Sequence, residues 1–142
     1  HFPDKEKFIA ECKHTLASNA MIADYGVDPH IDKDWYVYDY FDSVYENDLK
    51  RFSSTDQLKN ILQDLQFEMI ENRIVEKVFN SRTGKDVFND PFLQKNHSSQ
   101  LANLSDEEYQ RGVDKIKNQI EKNSETVFTT SGIFYLTSAK KK

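Results

Sequence analysis

A helix-opening signature stands in front of two amphipathic patterns in this chain. Ser54 is followed three residues on by Gln57, and Ser105 by Glu108. In such a capping box the hydroxyl accepts from a first-turn N–H while the longer side chain reaches back to the serine N–H. Behind each box lies an apolar face at helical spacing: Leu58, Ile61, Leu62 and Leu65 in one, Tyr109, Val113, Ile116 and Ile120 in the other. Behind each helix comes an extended pattern. The first covers residues 69–75 and reaches toward Val78 and Phe79. The second begins at Val127, and Phe128, Phe134 and Leu136 share one face of it across Gly132. Helix followed by strand, twice over, points to a layered α/β arrangement.

The segment before the first box repeats the theme. Asp4, after Pro3, is placed to cap a helix whose apolar stripe is Phe8, Ile9, Cys12 and Leu16. Cys12 lies within the stripe and reads as a small core side chain. Residues 17–19 break that helix. A nearly continuous apolar run from Ala20 to Gly26 then suits a strand buried on both faces. Residues 27–34 read as a solvated acidic connector. Asp28, His30, Asp32 and Asp34 alternate there, but Pro29 disturbs the extended chain and no metal-loop spacing is matched, so no metal is expected. Seven aromatics follow within residues 35–52. Tyr38, Phe41, Tyr45, Leu49 and Phe52 keep helical spacing, whereas Trp35, Tyr36 and Tyr40 fall off that stripe and could cap a pocket. Residues 80–85 read as a turn, Asp90-Pro91 as the start of a short helical turn carrying Phe92 and Leu93, and residues 96–100 as a polar stretch that includes His97.

Composition narrows the function. The 142 residues carry 19 Lys and Arg against 24 Asp and Glu, a net charge of −5. A mildly acidic chain lacks the clustered basic face that nucleic acid or anionic lipid requires. Its one basic run, Lys140-Lys141-Lys142, reads as a frayed tail. One cysteine excludes an internal disulfide framework and a cysteine-based zinc cage. No transmembrane span and no secretory leader are visible, which gives a cytoplasmic reading. The chain opens His1-Phe2-Pro3-Asp4, as though cut from something longer. Gly26, Gly84, Gly112 and Gly132 stand far apart, so neither a dinucleotide turn nor a phosphate loop is present. No spacing singles out catalytic residues.

Taken in order, His1-Phe2-Pro3-Asp4, the amphipathic helix, the small polar turn after Leu16 and the strand at residues 21–25 resemble the middle of a class I S-adenosylmethionine-dependent methyltransferase. In that family a His-Phe/Leu-x-Asp segment follows the fourth strand, and a Lys-Pro-Gly-Gly turn precedes the fifth. Ala17-Ser18-Asn19-Ala20 stands in that turn without its Pro and Gly. The helix from Ser54 to Leu65, then Gln66-Phe67-Glu68, resembles the family's helix, Gly-Phe and sixth strand, with Gln66 in place of glycine. The pattern from Val127 to Ala139 resembles the seventh strand.

The resemblance covers essentially the whole chain but only the C-terminal half of the family's fold. It implies a single partial domain spanning residues 1–142, a Rossmann-like α/β piece with three strands in the order five, seven, six. The last strand would run antiparallel, with flanking helices and a helical aromatic insertion. Residues 27–52 and 80–104 would be the inserts that cover substrate. The cofactor would be S-adenosyl-L-methionine, with its main binding motif on absent residues. His1 and Phe2 would stand on the cofactor side, and Trp35, Tyr36, Tyr40 and His97 on the side of a small-molecule methyl acceptor. The full-length parent would be the active enzyme and the chain alone inactive. The sheet edge left where the fourth strand belongs would invite homo-oligomerisation or pairing. Two alternatives stand beside this reading: a stand-alone α+β module holding a small ligand, and a protein-interaction domain using the aromatics as its surface.

Overall fold

A computed structural model describes residues 2–142. Its elements follow in the order α1 (Lys5–Thr15), β1 (Met21–Val27), α2 (Val37–Tyr40), α3 (Val44–Arg51), α4 (Thr55–Asp64), β2 (Phe67–Thr83), α5 (Ser99–Ala102), α6 (Asp106–Lys122) and β3 (Val127–Lys141). Two 3-10 turns, Gly84–Asn89 and Pro91–Leu93, lie between β2 and α5. The strands form one sheet in the order β1-β3-β2. β3 runs antiparallel, with Met21 opposite Lys140 and Val27 opposite Phe134. This is the expected five, seven, six order with its reversed final strand.

The chain divides into two compact units. One comprises the chain up to Asp32 with residues 49–77 and 133–142; the other comprises residues 33–48 and 78–132. In the first, Ile9 of α1 packs with Leu58 and Leu62 of α4, Phe67 of β2 and Ala139 of β3. Asp4 caps α1 through the Lys7 N–H at 2.8 Å. The Ser54–Gln57 box forms with both reciprocal bonds. Two turns that resemble glycine positions of the methyltransferase pattern adopt the left-handed conformation with other residues. Asn19 has φ 68°, which its short amide side chain tolerates, and Gln66 has φ 56°.

Several expectations are corrected in this unit. β1 is not buried on both faces: Met21 and Tyr25, which share one face, are more than half exposed, while Ile22 on the other packs against the core; among the described residues β1 pairs with β3 alone and forms a sheet edge. The basic terminal run is not frayed. Lys140 and Lys141 belong to β3, and the Lys141 ammonium donates to the carbonyls of Lys13 and Leu16 at 2.6 Å, capping the C-terminus of α1. The acidic connector is not wholly solvated, since Asp28 is buried. Its carboxylate accepts from the His30 N–H at 3.0 Å and from the Thr55 N–H and hydroxyl at 2.7 and 3.1 Å, tying the loop to the start of α4. Cys12 is half-buried rather than fully enclosed.

The second unit has its own core, with Val37, Phe41 and Val44 packed against Leu101, Ile116 and Phe128. The Ser105–Glu108 box opens α6 as expected. The aromatic stretch does not form one helix. It breaks after Tyr40, where Phe41 turns to extended backbone (φ −118°, ψ 96°), and resumes at Val44. Nor do residues 80–83 form a turn, because β2 continues to Thr83. The reversal comes one residue later, at Gly84, with φ 54° and its N–H donated to the Thr126 carbonyl at 2.9 Å.

Two glycines in this unit admit no larger residue. A Cβ at Gly112 would lie 2.2 Å from the Phe41 ring, and one at Gly84 would lie 2.3 Å from the Ser124 carbonyl oxygen. Gly112→Ala and Gly84→Ala are each expected to lower stability by about 1–3 kcal/mol, measured by urea unfolding. An unchanged midpoint would contradict the packing described. For the exposed β1 edge, sedimentation is expected to show concentration-dependent self-association. A monomer that melts cooperatively at all concentrations would count against it.

Candidate functional site

The second unit holds an open groove of about 490 Å³ at the start of the aromatic insertion. Its wall is fixed by the backbone. The Ser131 N–H donates to the Asp34 carbonyl at 2.7 Å and the Tyr36 N–H to the Thr129 carbonyl at 2.9 Å, with Trp35 bridging Thr130 between them. Residues 34–36 thus lie along β3 as a short added strand, and Trp35, Tyr36 and Tyr40 all line the groove. The three side chains left outside the expected helical stripe therefore share one concave surface.

Each is held differently. Tyr36 is buried, meets Phe128 edge-on with ring centroids 5.6 Å apart, and donates its hydroxyl to the buried Asp90 at 2.9 Å. The other Asp90 oxygen accepts from the Phe92 N–H, so one carboxylate both caps the Pro91–Leu93 turn and anchors the groove. Trp35 and Tyr40 are half-buried. Tyr40 packs on Phe128 at 5.5 Å, and Trp35 meets Tyr38 edge-on at 5.3 Å. The Tyr38 hydroxyl donates in turn to the buried Asp48 at 2.9 Å. Trp35 Nε1 is buried without a hydrogen-bond partner, a cost the packing of its ring must offset.

Sequence reasoning did not find the rest of the lining. Phe79 contributes a ring 74% exposed, although the pattern marked it only as a strand end. Asp90 was legible as a turn initiator but not as the partner of Tyr36, because nothing local encodes a contact 54 residues away. His97 is not brought to the groove. It is exposed in the turn before α5, its N–H donated to the Gln94 carbonyl.

The first unit contains a separate cleft of about 430 Å³ against β1, lined by Phe2, Phe8, Cys12, Ile22, Tyr25 and Leu58 among others. Phe2 is half-exposed and stacks on Phe8. His1 lies outside the described residues. Among those described, no three His, Cys, Asp or Glu side chains are placed to share a metal ion, and no helix is long and apolar enough to cross a membrane.

Burial pushes the Tyr36 and Tyr38 hydroxyls well above the ordinary tyrosine range, and Asp90 and Asp48 push in the same direction. Each therefore keeps its proton in the folded chain at a pH where the unfolded chain has lost it. The resulting stability is complete below pH 10.0, the ordinary value, and falls as pH rises past it. Unfolding free energy measured above that pH is expected to drop with a shallower slope in a Tyr36→Phe/Tyr38→Phe double variant than in the parent. Identical slopes would show that these hydroxyls do not carry the effect.

No family model matches the chain, and no curated protein does. Among solved structures it is similar to a methyltransferase candidate from Bacillus halodurans, with a TM-score of 0.55 at 18% identity over 99% of this chain and 59% of that one. It is also similar to phosphoethanolamine N-methyltransferase 2 of Haemonchus contortus. In complex with phosphomonomethylethanolamine and S-adenosylhomocysteine that enzyme gives a TM-score of 0.43 at 17% identity, over 99% of this chain and 31% of that one. With S-adenosyl-L-methionine the values are 0.40 and 17%, over 99% and 30%. The chain thus spans 59% or less of each of these proteins. What it shares with the Bacillus protein is a methyltransferase-like fold.

Proposed function

We propose that this chain is the C-terminal, substrate-recognising part of an S-adenosylmethionine-dependent methyltransferase that acts on a small molecule. The observation that carries the proposal is the reversed last strand wedged between its two companions, in a chain whose fold aligns over 99% of its length with a methyltransferase candidate. A stand-alone ligand module would have no reason to leave β1 as an open edge with Met21 and Tyr25 exposed. An interaction surface would expose Trp35 and Tyr40, which are instead half-buried around a groove.

The residues present do not make a cofactor cradle. The four glycines stand singly, Gly84 and Gly112 serve packing, and no glycine-rich turn faces a helix N-terminus. The cradle is accordingly assigned to residues outside this chain, and no chemical step is derived through the cofactor. His1 and Phe2 are the proposed cofactor-side contacts. Trp35, Tyr36 and Tyr40 are the proposed acceptor-side wall, with His97 of the second insert as a polar contact beyond the groove. Their task is positional. A displacement at a methyl carbon needs the acceptor held in line and water kept away, which flat, rotamer-poor rings on a backbone-clamped segment supply at small entropic cost.

Calorimetry of the chain alone with S-adenosyl-L-methionine is expected to show no micromolar binding; such binding would overturn the assignment of the cradle elsewhere. In a longer protein that carries this chain behind a glycine-rich half, Tyr40→Leu is expected to lower kcat/KM for the acceptor about 10-fold or more, with cofactor affinity unchanged. Equal loss of cofactor affinity would remove the groove from the acceptor side.

A further inference from the structure

The groove has a chemical bias that the methyltransferase reading does not by itself supply. Four aromatic side chains line it, Trp35, Tyr36, Tyr40 and Phe79. The face of such a ring attracts a cation through its quadrupole. Behind the floor, the Tyr36 hydroxyl donates to Asp90 at 2.9 Å. Tyr36 itself is only 5% exposed, so the ring surfaces a ligand can meet are those of Trp35, Tyr40 and Phe79. On the rim, Asp34 and Asp39 are exposed, and neither forms an ion pair among the described residues. Lys33 is the single cation among the described lining residues, and its ammonium lies 5.5 Å from the Tyr45 ring centroid, over a side chain that does not line the groove.

We infer that this groove binds a small organic cation, an alkylated amine, and that in the proposed enzyme such an amine is the acceptor or the acceptor's anchoring group. The inference rests on the acceptor-side reading above and narrows it. A neutral apolar ligand would gain from the rings but leave Asp34 and Asp39 unused, and an anion would be repelled by both. The clamped backbone of residues 34–36 presents Trp35 and Asp34 without a prior rearrangement.

Trp35 is the one tryptophan of the chain, so its fluorescence reports on the groove directly. The probe is choline, set against its neutral carbon isostere 3,3-dimethylbutan-1-ol, with ionic strength held constant by sodium chloride. Choline is expected to change Trp35 emission saturably, and the isostere to bind about 10-fold more weakly. Asp39→Asn, at an exposed position, is expected to weaken choline about 3-fold and leave the isostere unaffected, with an unaltered circular dichroism spectrum. Equal affinity for the two ligands overturns the inference. So does the absence of a saturable change below about 0.1 M choline. The two readings fail separately. Choline binding by a chain whose longer protein transfers no methyl group would sink the methyltransferase reading alone, and transfer to an uncharged acceptor without choline binding would sink this one alone.

Discussion

The pairing of β3 determines how this sequence folds. β1 and β2 are not ladder partners of each other; each pairs with the last strand of the chain. The first residue of β1, Met21, is therefore opposite Lys140, close to the other end of the sequence. Closing so long a loop costs entropy that the strand contacts and the packing of the helices on them must return together. The two capping boxes and the α1 cap are each satisfied within their own first turn. Local sequence marks where the helices start, and the sheet fixes how they are arranged.

That division explains what could be read beforehand. The starts of α1, α4 and α6 and the inward faces of α4 and α6 follow from side chains three and four residues apart, and they stand where the sequence puts them. The features that escaped are those imposed by a distant partner. Residues 80–83 have turn composition yet extend as strand beside β3, and the chain reverses only at Gly84, where the left-handed backbone is free of penalty. The terminal lysines look solvated in sequence, but one of them faces the unpaired carbonyls at the end of α1. Asp28 looks like a surface acid until the start of α4 brings two N–H groups and a hydroxyl to it, counting its own loop.

The candidate site was legible to the same extent. Failure to fit the helical stripe marked Trp35, Tyr36 and Tyr40, and a residue off the stripe of an aromatic segment needs some other surface to cover. That surface is the groove wall beside β3. Asp90 and Phe79 could not be found in this way, since a carboxylate before a proline and an aromatic at a strand end each have a sufficient local explanation. His97 stands outside the groove lining, because residue type alone does not fix where the second insert places it.

The tyrosine–aspartate pairs connect stability to specificity. Burying Asp90 and Asp48 would be costly without donors, and Tyr36 and Tyr38 provide them from the segment that forms the groove. The same bonds fix the two rings against rotation. At Tyr36 the bond also holds the buried base of the groove wall in place. A leucine at position 36 could fill the core as well, but it would leave one buried Asp90 oxygen without its donor. The need to satisfy a buried acid and the fixed shape of the groove wall therefore have one physical origin.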